Sequence, residues 1–481
     1  MAHRPPLPPG PFLIVGLARS GLGAGRALSA LGERVSGCDS GPADAAVLAE
    51  LEAAGIAVHA STDGVDLLDG IATVVKSPGV PQEAPVVRAA RERGLPVLGE
   101  VELGWRLLPN DLIAITGSNG KTTTTELVGR IHREAGLPVA VAGNVGTALS
   151  SLAGSLDPGA VVVCEASSFQ LEDTIAFAPE AAVLLNLAPD HLDRHGTFDA
   201  YRDAKLRIFA NQDADALAVV PEGLDHGGPA RRVTFASPLA AGAARGSPGG
   251  AVRATAPVAP DAAGGPGGAA VAGEPDLRIR DRRLAWRGEA VIPLEEIRLR
   301  GAHNLENAMA AAAVTLARGV DPAAVRAALA GFAGVAHRLE EVTRIDGVLY
   351  VDDSKATNVA SAVVGIRSFP GGVHAILGGR GKREDYAPLA AAVAERCTAV
   401  YLIGEEAPRL QAALAPTGVP ARDCGDLEHA MGAARAAAAP GEVVLLSPAC
   451  ASYDQYRSFE ERGRHFKSLA GGVRAVLSNP A

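Results

Sequence analysis

The segment Thr116-Gly-Ser-Asn-Gly-Lys-Thr-Thr123 constrains this chain more than any other. It follows the apolar run Leu112–Ile115 and precedes a helical pattern. Glycines let the backbone curl until successive amide N–H groups face one point, and the N-terminus of the next helix adds partial positive charge. Such a turn needs a strand before it and a helix after it, which sets the fold class as α/β. Gly117, Ser118, Asn119, Gly120 and Thr123 would wrap a phosphate. Lys121 can reach the outer phosphates of a nucleotide, and the Thr122 hydroxyl can ligate Mg²⁺. The general pattern asks for glycine at position 115, where this chain has isoleucine. The loop is therefore a shortened one, and its Gly-Lys-Thr-Thr ending favours phosphate binding over an ordinary glycine-rich turn.

The rest of the chain repeats the strand–helix alternation. Apolar runs at 12–16, 34–38 and 72–76 read as strands, and 22–31 reads as a helix. Further strand candidates are 161–165 and 182–186, then 349–352, 374–377, 399–403 and 443–446. Alternation of this kind predicts parallel sheets with crossover helices, and ligands at the carboxyl ends of the strands. The expectation is three domains in series: a Rossmann-like domain over 1–99, a phosphate-loop ATPase-like domain over 100–334, and a second Rossmann-like domain over 335–481. Residues 238–274 are mostly Ala, Gly and Pro, with few large apolar side chains to bury, and read as a flexible surface insertion.

Composition removes several classes. Of 481 residues, 45 are basic and 54 acidic, so the formal charge is 45 − 54 = −9, and only 4% are aromatic. A broad nucleic-acid-binding face does not fit those values, although a local basic site for a small anion does. No stretch reaches the ~18 to 20 apolar residues that a membrane span needs. The five cysteines are widely spaced and form no CxxC pair, so the expectation is a soluble protein of a reducing cytoplasm, with no membrane partner.

Other polar clusters sit at strand ends. Gly16-Leu-Ala-Arg-Ser-Gly21 resembles a dinucleotide turn with Ala18 in place of the middle glycine, and Asp39 ends the next strand candidate. A plain αβ turn and a nucleotide site both fit. The missing glycine disfavours NAD, and with it an oxidoreductase. Glu165 ends one central strand, and Asn186-Leu-Ala-Pro-Asp-His191 follows another. Should the strands at 112–116, 161–165 and 182–186 share a sheet, Glu165 and His191 would approach the phosphate loop and could hold Mg²⁺. Lys205 sits in a helical pattern and by itself reads as a solvated lysine. The last third carries His337-Arg338, Asp352–Asn358, Gly378–Lys382 and Ser447–Gln455, which suit a small dicarboxylate.

Taken together, these residues resemble the Mur ligases, the ATP-dependent amide ligases of peptidoglycan precursor synthesis, over nearly the whole chain outside 238–274. Asp353-Ser-Lys-Ala-Thr-Asn358 and Leu446–Gln455 resemble the members that add D-glutamate, and the Asp-Asn-Pro-Arg motif of the members adding diaminopimelate or lysine is missing. The resemblance implies ATP, UDP-N-acetylmuramoyl-L-alanine and D-glutamate as small-molecule substrates and two Mg²⁺ ions, and a monomer is the expectation. It implies that Lys121, Asn307, Arg338 and Asp353 contact ATP, and that Thr122, Glu165 and His191 hold metal. Lys205 would be carbamylated by CO₂ and become a metal ligand, so that Lys121, His191 and Lys205 form the catalytic set. Arg19, Ser20, Asp39, Ser40, Gly79, Asn144, Ser167 and Gln170 would bind the UDP substrate. Lys355, Thr357, Lys382, Ser452, Tyr453 and Phe459 would surround D-glutamate. Tyr453 stands where leucine is more usual, and Arg19-Ser20 where Leu-Thr is. The rivals that stay open are a folylpolyglutamate synthase, a Mur ligase for a different amino acid, an NAD-dependent oxidoreductase, and a protein that binds ATP without ligating.

Overall fold

A computed structural model describes residues 4–42, 45–144, 146–236, 274–299, 301–381 and 384–471. The insertion, apart from Glu274, and Lys382 lie outside the described residues. The chain divides into two compact units, residues 1–298 with 302–332, and residues 333–481 with 299–301. The first unit contains two sheets and the second contains one.

The first sheet comprises β1 (Phe12–Val15), β2 (Val35–Cys38), β3 (Ala57–His59), β4 (Thr73–Lys76) and β5 (Val97–Gly99), in the order β3-β2-β1-β4-β5 and all parallel. β1 and β4 are buried throughout, as strands covered by helices on both faces require. Leu13, Val15 and Val74 pack on one side, and Phe12, Ile14 and Val75 on the other. Each such side chain contributes about 1.5–3 kcal/mol by leaving water. The order reverses at β1, so the crevice at the carboxyl ends of β1 and β4 is where this topology accepts a ligand. The first helix begins at Arg19, three residues before its sequence expectation, so Arg19 and Ser20 open it.

The second sheet comprises β6 (Leu112–Thr116), β7 (Val139–Gly143), β8 (Val161–Glu165), β9 (Ala181–Leu184), β10 (Leu217–Pro221), β11 (Arg231–Phe235), β12 (Leu277–Arg280), β13 (Arg283–Trp286) and β14 (Glu289–Pro293). Their order is β14-β13-β12-β11-β10-β9-β6-β8-β7. β6 pairs in parallel with β8 on one side and β9 on the other. The condition set by the sequence is met: the phosphate loop, Glu165 and the 186–191 segment leave adjacent strands at one edge. β12 to β14 form an antiparallel meander that the sequence reading did not anticipate. The helix Ala302–Ala317 is buried over most of its length, and its alanines allow close approach of neighbouring backbone.

The second unit is built on β15 (Glu340–Ile345), β16 (Val348–Asp352), β17 (Val373–Gly378), β18 (Cys397–Ile403), β19 (Ala421–Gly425) and β20 (Val443–Ala449). The order is β15-β16-β20-β17-β18-β19, parallel except for the β15–β16 hairpin. β16, β20 and β17 are neighbours, so the three polar clusters that follow them share one edge. Among the described residues, no helix is long and apolar enough to cross a membrane.

Candidate functional site

The phosphate loop leaves β6 with Gly117 at φ 156° and Gly120 at φ 87°. A Cβ on Gly120 would stand 1.9 Å from Asn307 Oδ1, so left-handed backbone and close approach both demand glycine there. The helix Lys121–Glu134 starts at this glycine without a side-chain cap, so the partial positive charge of its N-terminus lies at the loop. Asn186, just beyond β9, clamps the loop. Its Oδ1 accepts the Asn119 N–H at 2.9 Å, its backbone oxygen accepts the Ser118 N–H at 3.0 Å, and its Nδ2 donates to the Asn119 carbonyl at 3.3 Å. The Ser118 hydroxyl donates to the Ala188 carbonyl and accepts from Tyr201, each at 2.9 Å. Lys121 curls over the loop and donates to the Gly117 and Ser118 carbonyls at 2.9 and 3.0 Å.

Lys205 comes from the helix Phe198–Leu206, which Thr197 caps. It is 1% exposed, donates to the Gly117 carbonyl at 2.9 Å and lies 4.7 Å from the Tyr201 ring. Burial, aided by the Lys121 charge, pulls its pKa down to about 6, against the opposing pull of Asp190 and Glu165. Lys205 is therefore mostly a neutral amine at pH 7, the opposite of the solvated ammonium that its sequence context suggests when taken alone.

Glu165 is buried at the end of β8 and accepts from Asn144 Nδ2 at 2.9 Å. His191 is half-exposed, with φ 51°, and its Nε2 lies 3.6 Å from Asp190. Such backbone costs a non-glycine residue about 1–3 kcal/mol and persists where the surroundings enforce it. Among the described residues, Glu165 and His191 are not part of a group of three acidic, histidine or cysteine side chains with all ligand atoms within 4.8 Å. The group of that kind is His337, Glu340 and Asp352, in the second unit.

A cavity of about 730 Å³ opens at the crevice of the first sheet. Arg19, Ser20, Asp39, Ser40, Gly79 and Asn144 all line it. Asp39 shapes the wall, because its carboxylate accepts the Leu17 N–H at 2.8 Å and the Gly41 N–H at 3.0 Å. Asn144 lines the cavity while holding Glu165, which joins the cavity to the carboxyl edge of the second sheet. Ser167 and Gln170 are not in the wall. They form a capping box at the start of the helix Ser168–Leu171, where each satisfies the other's backbone amide.

In the second unit Asp353 is buried and accepts from Ser447 Oγ at 2.7 Å and the Leu339 N–H at 3.2 Å. Burial pushes its carboxyl up to about 7, although Ser447 and Arg338 pull it down. Lys355 and Thr357 follow on the same loop, where the Lys355 N–H donates to the His337 carbonyl at 3.0 Å. Ser452 is buried, Tyr453 is 66% exposed, and Phe459 begins the helix Phe459–Gly471. Arg462 ties this edge together and was not evident from the sequence. Its guanidinium, 1% exposed, donates to Ser354 Oγ and the Ser354 carbonyl at 3.0 Å and to the Cys450 carbonyl at 3.2 Å. A signal existed: Phe459, Arg462 and Phe466 share a helical face, so Arg462 interrupts an apolar stripe. Tyr201 and Asn186 gave no comparable signal.

Fold and site together define a phosphate-loop α/β protein with a cavity at the crevice of its first sheet and a third sheet edge rich in lysine, hydroxyl and carboxylate groups. Residues 115–229 match the Mur ligase middle domain, and residues 337–450 match the Mur ligase, glutamate ligase domain. The chain belongs to the Mur ligase family, whose members depend on ATP. It is 41% identical over 468 residues, 97% of each chain, to the UDP-N-acetylmuramoylalanine–D-glutamate ligase of Acidobacterium capsulatum. It is 43% identical over 476 residues to the ligase of the same name from Anaeromyxobacter dehalogenans, covering 95% of this chain and 96% of that one. Its fold is similar to that of the UDP-N-acetylmuramate-alanine ligase of Thermotoga maritima, with a TM-score of 0.59 at 18% identity, covering 96% of this chain and 99% of the other.

Proposed function

We propose that this chain is an ATP-dependent ligase that joins D-glutamate to the L-alanine carboxylate of UDP-N-acetylmuramoyl-L-alanine in the cytoplasm. The observation that carries this reading is the end-to-end likeness to relatives named for that activity, on a chain that keeps an intact phosphate loop. An amide does not form from a free carboxylate, because oxide is a poor leaving group. Phosphorylation makes an acyl phosphate, the D-glutamate amine attacks its carbonyl carbon, and phosphate departs. The protein's part is positioning and charge stabilisation. The residues of the three expected domains divide this work in the proposal: the first sheet's cavity takes the UDP part, the phosphate loop takes ATP, and the third sheet's edge takes D-glutamate.

The loop amides and Lys121 would offset charge on the transferring phosphoryl group. Thr122 and buried Glu165 offer the oxygen donors that Mg²⁺ prefers, with His191 as a further ligand in this reading, and the ion when bound would neutralise phosphate charge. Lys205 fits carbamylation, because an amine near neutrality at pH 7 is the form that adds to CO₂. In this reading Asn307 and Arg338 serve the adenine side and Asp353 the ribose.

The test is phosphate release from ATP and Mg²⁺ with UDP-N-acetylmuramoyl-L-alanine, comparing D-glutamate with L-glutamate, L-lysine and diaminopimelate. Release that depends on D-glutamate alone, with the matching product mass, is expected. Release with any other of these amino acids in its place would move the assignment to a sister ligase.

A further inference from the structure

The loop Ser77-Pro78-Gly79-Val80-Pro81 follows β4 and lines the cavity of the first sheet. It closes as a turn in which the Val80 N–H donates to the Ser77 carbonyl at 3.0 Å, and its two prolines carry no N–H. Two cations serve the Pro78 and Val80 carbonyls. Lys76, fully buried, donates to the Val80 carbonyl at 2.8 Å and pairs with Asp173 at 2.8 Å. Arg194 donates from Nη1 to the Pro78 carbonyl at 2.9 Å and from Nη2 to the Val80 carbonyl at 3.2 Å. The guanidinium is itself fixed, 4.0 Å above the Phe169 ring and 3.6 Å from Glu172.

Arg194 lies in the short helix Leu192–His195, whose N-cap is His191. One side chain therefore links the cavity loop to the turn that carries a proposed catalytic residue. The geometry has a second consequence. The Pro78–Gly79 peptide is trans, so its carbonyl and its N–H point in opposite directions. With the carbonyl turned to Arg194, the Gly79 N–H is turned away from it, and this N–H has no hydrogen-bond partner among the described residues. A Cβ built on Gly79 meets nothing within 4 Å. Gly79 is exposed in the cavity wall, and an unpaired amide there suits an anionic oxygen.

Resting on the function proposed above, we infer that Arg194 is a positioning residue for the nucleotide substrate. It holds the Pro78 and Val80 carbonyls so that the Gly79 N–H is presented to the substrate's diphosphate. It also keeps that diphosphate in register with the turn bearing His191. Arg194 touches neither the reacting atoms nor the phosphate in this scheme. Its effect passes through the loop.

The experiment compares uridine with UDP as ligands of the full-length chain, by calorimetric titration of wild type, Arg194→Gln and Arg194→Lys. Wild type is expected to bind UDP at least about tenfold more tightly than uridine, since a charge-assisted hydrogen bond contributes about 1.5–3 kcal/mol and tenfold corresponds to about 1.4 kcal/mol. Arg194→Gln should keep uridine affinity within about twofold and lose most of the diphosphate preference, and Arg194→Lys should keep part of it. Full preference in Arg194→Gln overturns the inference. So does a parallel loss of uridine and UDP affinity, which would make the role merely structural. Wild type without any preference for UDP would instead overturn the reading of the cavity, and the inference with it. Phe169→Leu, which keeps the charge and removes the face it rests on, gives a second variant and is expected to show a smaller loss in the same direction. An unchanged preference in Phe169→Leu would count against the inference.

Discussion

Lys205 offers the most direct test of the electrostatics. Its folded pKa of about 6 means that about nine in ten of these amines are neutral at pH 7, against roughly one in a few thousand for an ordinary lysine. In the unfolded chain the group returns to a pKa near 10.5, so between pH 6 and 10.5 unfolding takes up a proton. The unfolding free energy must therefore rise with pH across that window, by up to about 1.4 kcal/mol per unit from this group alone. Lys205→Met keeps the length of the side chain and removes the titration. Its lost hydrogen bond to the Gly117 carbonyl is the same at every pH and cancels in the comparison. From pH 7 to 9 in CO₂-free buffer, wild type should gain about 2–3 kcal/mol relative to Lys205→Met. Urea unfolding followed by tryptophan fluorescence reads this, because Trp105 and Trp286 both lie in the first unit with Lys205. Parallel pH dependence in the two proteins would refute the argument and show that Asp190 and Glu165 keep Lys205 protonated.

Two other perturbations follow from close packing. Gly120→Ala places a methyl group 1.9 Å from Asn307 Oδ1 on left-handed backbone, and nucleotide affinity by titration should fall at least about tenfold. Adding Asn307→Ala should recover only part of the loss, because the backbone strain of about 1–2 kcal/mol remains and the proposed adenine-side contact of Asn307 is lost with the clash. Full recovery would show that the clash alone matters. Arg462→Met strips donors from the Ser354 and Cys450 carbonyls and should destabilise the second unit by about 3 kcal/mol or more, read by hydrogen exchange over residues 349–378 and 443–466. A loss within about 0.5 kcal/mol would mean that water replaces the guanidinium. Arg462→Lys is not expected to rescue, since one ammonium cannot reproduce the planar fork.

The phosphate loop was legible because its chemistry is local: two glycines, a lysine and a threonine in the turn between one strand and one helix. The strands 112–116 and 161–165 were legible for the same reason, as short apolar runs with polar ends, and the structure keeps both bounds. The convergence of Glu165 on the loop could be posed from sequence only as a condition, because pairing of β6 with β8 is a long-range event. The capping box at Ser167 and Gln170 was also local, a serine followed three residues later by glutamine, and could have been read as helix punctuation.

Other features required the assembled fold. The sequence shows Lys205 as a charged residue on a helix. Its neutrality comes from burial and from the nearness of Lys121, 84 positions away in the chain. Arg194 reads as an ordinary surface charge, and Arg462 only as a break in an apolar stripe, until packing places them under carbonyls of distant loops. Local motifs thus determined the fold class, the nucleotide loop and the family resemblance, because each is a relation between neighbours in the chain. Tertiary structure alone decided which charges are stripped of water and which backbone groups they orient, because desolvation and hydrogen-bond geometry depend on what surrounds a side chain in space.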